Sequence, residues 1–395
     1  MEYQIKRKAH LVRIAFMTII IISSYLMFVR LIGDFGFHLA SAGDLNKVGL
    51  RAYLSDHTYP LWHMLVAGLI RLGVPGNHSA ALVTSICNGA TFFLVDYYLI
   101  KRLGNELPET VLSFLAATLL FVGPFYIPWY NENLYLGQGS PNVWHNPTNL
   151  CVRPFAVLSF FLLVEIVEQA KDARRDKKLM MIAGAVLLIS ILAKPSWLQV
   201  FIPGVMLYLC LLFLSKKENK LYIMKTLALL VFVSLIPLVI AAWKIFWGQT
   251  AGGGDGGAYI APFLVMKIYA PNVLLSLCLG YLFPIFVAIV LVVERIVKKR
   301  PISSDIAIMW CLLVAALGEN ILLAERGREG HGNFGWGAQL MQFISYVVAL
   351  KEYVKLYTDG NDSRIRQAVL DSGFVIYLIQ FAVGLYWYYR CMFFW

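Results

Sequence analysis

The residues best suited to chemistry crowd into one stretch, "GDFGFHLASAGDLNKVGLRAYLSDHTYPLWH" at 33–63. It holds three acids, Asp34, Asp44 and Asp56, and three imidazoles, His38, His57 and His63. Asp34 stands just beyond a long apolar run. A carboxylate beside apolar walls at a membrane edge can have a raised pKa and act as a general base near neutral pH. A plainer role is open to the same residue, which stands where a following surface helix would take its N-cap. His38 and His63 face the same choice between a site and a backbone-satisfied polar position. The mixture of Asp and His also admits a divalent metal, although it offers neither an Asp-x-Asp pair nor a His-x-x-x-His spacing to argue for one.

Other polar stretches between apolar runs add groups of a different kind. "YNENLYLGQGSPNVWHNPTN" at 130–149 offers Glu132, Gln138, Trp144 and His145, hydrogen-bonding groups for hydroxyls and an aromatic face for the C–H groups of a sugar ring. With His38, Asp44, Asp56 and His57 they are candidates for holding a sugar or its acceptor. Asn146 is followed by proline and is no glycosylation acceptor. Arg153 opens an apolar run in "CVRPF", and Lys194 ends another in "LAKPSWLQVF". Cations at that depth are costly unless an anion meets them; a lipid phosphate is one such anion, and headgroups or a buried acid are others. In "ERGREGHGNFGWG" at 325–337, Glu325, Arg326, Arg328, Glu329 and His331 crowd within seven residues, among glycines that permit close backbone approach. That pattern suits a phosphate cradle with bidentate arginines or an internally paired loop. The candidates for a phosphate are therefore Arg153, Lys194, Arg326, Arg328 and His331. "AGGGDGGAY" at 251–259 lacks the Gly-Lys-Ser/Thr end of a phosphate loop and is read as a mobile loop or lid.

Composition says what kind of element must carry these residues. Hydrophobic residues make up 59% of the 395, charged residues 14%, and the mean hydropathy is +0.67, too little polar surface to coat a water-soluble globule. Runs long enough to cross about 30 Å of hydrocarbon fall at 11–32, 79–100, 110–129, 149–169, 179–197, 198–214, 221–247, 271–294, 305–325, 337–355 and 367–390. The expected fold is all-α, a polytopic membrane protein of about eleven spans. It forms a single domain over 1–395, with an N-terminal module over 1–105, amphipathic surface helices in a first outer loop at 33–78, and the remaining spans over 106–395.

The apolar stretch 59–73 decides the topology. If it crosses, the basic clusters at 101–102, 171–178, 216–225, 295–300 and 351–366 fall on the side opposite the basic N-terminus. If it lies on the surface, all of them share one side. Positive charge gathers in cytoplasmic loops, so 59–73 is read as a surface-lying helix. The N-terminus is then inside, and the segments 33–63, 130–149, 248–259 and 324–337 are outside. The formal charge of +11 is accounted for by these loops, and no basic stripe with interleaved aromatics points to nucleic acid. Six cysteines are scattered singly without metal or haem spacing. "KRKAHLVR" followed by an apolar run has the look of a signal peptide, but the run is too long and the small-residue site at 40–42 too distant for cleavage.

A short first span, then "GDFGFHLASAGDL", then "YPLWHMLVAGLIRLG" and a span ending in "KRLG" resemble the N-terminal module of the GT-C glycosyltransferase superfamily. These multispan enzymes take a sugar from a polyprenyl-phosphate carrier on the extracytoplasmic face. The resemblance covers about 10–105 and continues as layout only. Phe35 stands where the family usually has a second acid. It implies that Asp34 is the catalytic base and that 59–73 opens the family's surface helix. It also implies a bacterial cytoplasmic membrane as the location. The expected activity is inverting transfer of a sugar from a polyprenyl-phosphate donor to a glycan, lipid or protein acceptor of the cell envelope or surface. No nucleotide is needed, and a divalent metal is optional. Two alternatives stay open: a lipid-linked polysaccharide polymerase, and a lipid or solute transporter. The latter would want mid-span charges and paired broken helices; Asp96 is the plainest such charge, and no paired halves are visible.

Overall fold

A computed structural model describes residues 2–133, 137–174, 176–215, 219–247, 257–298, 302–360 and 363–394. The loop expected to act as a lid lies outside these residues up to position 256. Three helices start the fold: α1 (Glu2–Phe28), α5 (Gly76–Leu103) and the short α6 (Glu109–Leu119). α1 and α5 run antiparallel, since Tyr25 meets His78, Asn88 donates to Ser24, and Arg13 pairs with Asp96. Between α1 and α5 lie α2 (Phe35–Val48), α3 (Leu50–Asp56) and α4 (Leu61–Arg71). α4 has 11 residues, about 16 Å of helix at about 1.5 Å per residue, half of a hydrocarbon layer. Its Trp62 is fully buried and donates to Thr84 of α5 at 3.0 Å, which fastens this short helix to α5.

The rest of the bundle comprises α7 (Pro147–Lys171), α8 (Lys177–Ala193), α9 (Ser196–Leu214), α10 (Lys220–Trp247), α14 (Ser304–Leu322), α15 (Gly335–Thr358) and α16 (Arg364–Phe394). α11 (Leu264–Tyr269), α12 (Val273–Gly280) and α13 (Leu282–Lys298) complete the helices, and β1 (Ala258–Ile260) pairs antiparallel with β2 (Leu323–Glu325). The close approach of α16 to the chain after α6 requires Gly384, because a Cβ there would overlap the Phe121 carbonyl oxygen.

The expectation of eleven spans is overturned. Among the described residues seven helices are long and apolar enough to cross a membrane: α1, α5, α7, α9, α10, α14 and α16. They become eight if α12 and α13, bent by 79° at Tyr281, are one broken span. The apolar run at 110–129 yields only the 11 residues of α6, because the chain leaves the helix ahead of Gly123 and Pro124. The run at 179–197 stops at the 17 residues of α8, broken by Lys194 and Pro195, about 26 Å of helix. α15 is long enough at 24 residues, but it carries Gln339, Gln342, Ser345, Lys351 and Glu352, all buried inside the protein.

The helix directions sort the chain into two ends. At one end Lys101 meets Glu165, Asn219 donates to the Lys171 carbonyl, Thr358 donates to Glu106, and Arg366 meets Glu294, so the basic loops lie together. Near that end, buried Lys351 bridges Asp305 of α14 and its neighbour Glu352, while Tyr98 donates to Asp305. Replacing Lys351 with Met leaves two buried carboxylates without a counter-charge and should cost about 3–5 kcal/mol. Thermal unfolding of the purified variant in detergent checks this; an unchanged melting temperature would refute it.

Candidate functional site

The opposite end of the same helices encloses a cavity of about 830 Å³. α1 and α8 end beside it, α7, α9 and α15 begin there, and α2 to α4 and the loop after β2 close over it. One wall starts at Gly33. Its φ of +55° suits glycine, and a Cβ would lie 2.5 Å from that of His145. This tight crossing brings the Asp34 N–H to the His145 carbonyl at 2.9 Å. Asp34 occupies the N-cap position of α2, yet its carboxylate makes no capping bond. Oδ2 accepts from Asn146 Nδ2 at 2.8 Å instead. Asn146 in turn caps α7: its Oδ1 accepts from the Asn149 N–H at 2.9 Å and from the Thr148 hydroxyl at 2.9 Å. It also accepts from Lys194 Nζ at 3.2 Å. Lys194 sits in extended backbone between α8 and α9, with its ammonium 4.1 Å from the centre of the Trp336 ring. Burial pulls its pKa down to about 7, with the Asp34 charge opposing.

The second wall is built of imidazoles. His38 Nδ1 and His63 Nε2 share a hydrogen bond of 3.0 Å that joins α2 to α4. His57 stacks on Tyr53 at 3.7 Å, and its Nδ1 bonds the Tyr53 carbonyl at 3.2 Å. Burial pulls His38 down to about 2, with His63 and then Lys194 adding to the effect. His63 falls to about 4 through burial and then His57. His145 falls to about 4 through burial and Lys194, with Asp34 opposing. Neutral rings in this position can donate and accept hydrogen bonds without carrying charge. The third wall holds Glu325, Arg328, His331 and Asn333. Arg328 lies 3.9 Å from Glu325, and Asn333 donates to the same carboxylate. Tyr59 stands between the first and third walls, where burial and the carboxylates of Glu325 and Asp34 raise its pKa.

Of the residues singled out in the sequence, Asp34, His38, Asp56, His57, His63, His145, Lys194, Glu325, Arg328 and His331 line this cavity. The others lie elsewhere. Asp44 is exposed and pairs with Lys47 at 3.1 Å. Glu132 is exposed on the loop before α7, and its carbonyl accepts from the Tyr126 hydroxyl. Gln138 is buried and donates to the Phe125 carbonyl. Trp144 packs edge-on against Tyr388. Arg153 donates to Asn142 at 2.8 Å and to Asn88 at 2.6 Å, tying α7 to α5 and to the loop before α7. The Arg326 guanidinium lies over the Tyr259 ring at 5.6 Å. Sequence reading missed Asn146, Tyr59 and Trp336. The Asn-Pro at the start of α7 does signal an N-cap, but nothing local shows that its amide reaches a carboxylate 112 positions away.

Among the described residues no three His, Cys, Asp or Glu side chains come together to hold a metal ion. In comparisons with known proteins the chain matches no family model and no curated protein.

The histidine pair sets a pH dependence of stability. Both folded pKa values lie below the ordinary 6.5, so the unfolded chain takes up protons first as pH falls. The stabilisation is complete above about pH 7 and is lost progressively from about 6.5 downward, by at most about 1.4 kcal/mol per pH unit for each ring. Melting temperatures between pH 8 and pH 4.5 should fall less steeply for His38→Gln than for the unmodified protein. Parallel curves would contradict the buried, neutral pair.

Proposed function

We propose that the chain is an integral membrane glycosyltransferase, moving a sugar from a polyprenyl-phosphate donor to a glycan, lipid or protein acceptor of the cell envelope or surface. The observation that carries the reading is the pairing of opposite functions in one cavity. Asp34 has a carboxylate freed from helix capping. Lys194 has an ammonium with no carboxylate within ion-pair distance among the described residues. The cavity volume of about 830 Å³ falls in the range of small-molecule sites, about 300–1,000 Å³.

In this reading the acceptor hydroxyl gives its proton to Asp34 while its oxygen forms a bond to the anomeric carbon. The bond from that carbon to the phosphate oxygen breaks, and the electron pair leaves with the polyprenyl phosphate. Lys194 and Arg328 meet the charge that develops on the leaving oxygen. Direct displacement inverts the anomeric centre. Burial disfavours the charged form of Lys194, and an arriving phosphate favours it. The imidazoles of His38, His63 and His145 serve as neutral hydrogen-bonding partners for hydroxyls. Grouping of the basic loops at the far end of the bundle supports an N-terminus in the cytoplasm and a cavity on the extracytoplasmic face.

Asp34→Asn is the direct test. The amide keeps the size and one acceptor while removing basicity, so the purified variant should bind polyprenyl-phosphate-linked sugar but transfer it about 100-fold more slowly or worse. The measurement is transfer in nanodiscs from a panel of polyprenyl-phosphate hexoses and pentoses, with donor affinity determined alongside. Turnover near that of the unmodified protein would defeat the mechanism.

A further inference from the structure

We propose that Asn146 is the positioning residue of this site: its amide stands between Asp34 and Lys194, keeps them from closing into an ion pair, and aims the carboxylate into the cavity. The inference rests on the transfer reading above. The orientation of the amide follows from its neighbours. The Asn149 N–H, the Thr148 hydroxyl and Lys194 Nζ are all donors, and all reach one atom. That atom must be the oxygen, so the amide nitrogen is the one that faces Asp34 Oδ2 at 2.8 Å. Asn146 is buried, and its two hydrogen bonds to the charged groups are shielded from competition with water.

The segment that supplies the amide also holds the acid by its backbone, through the bond from Asp34 N–H to the His145 carbonyl. Asp34 is thus fixed at two points by consecutive residues. Its Oδ1 accepts no hydrogen bond among the described residues, which leaves that oxygen for a proton from the acceptor. Lys194 is held by the Asn146 oxygen and the Trp336 ring. The other titratable and charged groups around it are His38 of α2, His145 ahead of α7, Glu325 at the end of β2 and Arg328 in the loop after it.

An acid and an amine that both reach one amide would pair directly if the amide were removed. Pairing would make Asp34 a weaker base and take from Lys194 the charge offered to the leaving phosphate. An asparagine holds both groups with hydrogen bonds and neutralises neither. An aspartate in its place would repel Asp34, and a shorter side chain could not span the two.

Asn146→Ser tests this, because serine still caps α7 while losing the reach to Asp34 and Lys194. Reaction of the Lys194 amine with an acylating reagent, followed by mass spectrometry across pH, reads its ionisation without any substrate. The midpoint in Asn146→Ser should rise by about one pH unit or more and should fall back in the Asn146→Ser, Asp34→Asn double variant. Turnover of Asn146→Ser should drop about 10- to 100-fold, the scale of a misplaced reacting group. An unchanged acylation midpoint overturns the separating role whatever the turnover, and a raised midpoint with unchanged turnover overturns its part in the reaction. If Asp34→Asn abolishes transfer while Asn146→Ser matches the unmodified protein in both measurements, the positioning role fails and the transfer reading stands. If Asp34→Asn leaves transfer intact, it is the transfer reading that fails.

Discussion

Asp34, Asn146 and Lys194 form one hydrogen-bonded chain, with links of 2.8 Å and 3.2 Å, and much of the cavity end is arranged around it. The chain joins the turn after α1, the start of α7 and the break between α8 and α9. A half-buried carboxylate and a buried ammonium held near one amide without pairing must be fixed by rigid neighbours. Gly33 supplies the close crossing over His145, α7 fixes the amide through its own N-terminal N–H, and Trp336 at the start of α15 covers the amine. Pro195 follows Lys194 directly and helps to end α8 there, so the break that shortens this helix is also what delivers the cation.

The two ends of the bundle divide the electrostatic work. Far from the cavity, acids and bases meet in pairs: Lys351 with Asp305 and Glu352, Arg366 with Glu294, Lys101 with Glu165. These bonds tie helices together. At the cavity Arg328 pairs with Glu325, but Asp34 and Lys194 are joined only through an asparagine amide, beside an aromatic face and imidazoles. α2 to α4 form the roof of this end, fastened by the His38–His63 and Trp62–Thr84 bonds. Phe37 on α2 is 75% exposed at the mouth of the cavity, and Ile245 of α10 also lines it.

Much of this was legible in the sequence, and particular residues show where legibility ends. Asp34 stands out by its place just beyond an apolar run, His38 and His57 by the crowding of acids and imidazoles in one loop, Lys194 by the cost of a cation at the end of a run, and Arg328 and His331 by their crowding among glycines. Apolar runs overcounted the spans because hydropathy does not register a helix that stops early. Gly123-Pro124 and Lys194-Pro195 break two runs short of a membrane's thickness, and in α15 Gln339, Gln342, Lys351 and Glu352 lie buried inside the protein. Arg153 carried the same signal as Lys194, and only three-dimensional contacts distinguish them: two asparagine side chains take up the guanidinium of one, while the ammonium of the other faces the cavity. Asn146 carried a helix-start signal and nothing more, because its second role depends on a partner distant in sequence.

A structure with a bound, non-transferable polyprenyl phosphonate sugar would test the central claim most directly. The account predicts the phosphonate oxygens within about 3 Å of Lys194 Nζ, on the side toward Arg328, with the anomeric carbon facing Asp34 and the Asp34–Asn146 bond still in place. A phosphonate bound away from the cavity, or a sugar whose anomeric carbon faces away from Asp34, would contradict it.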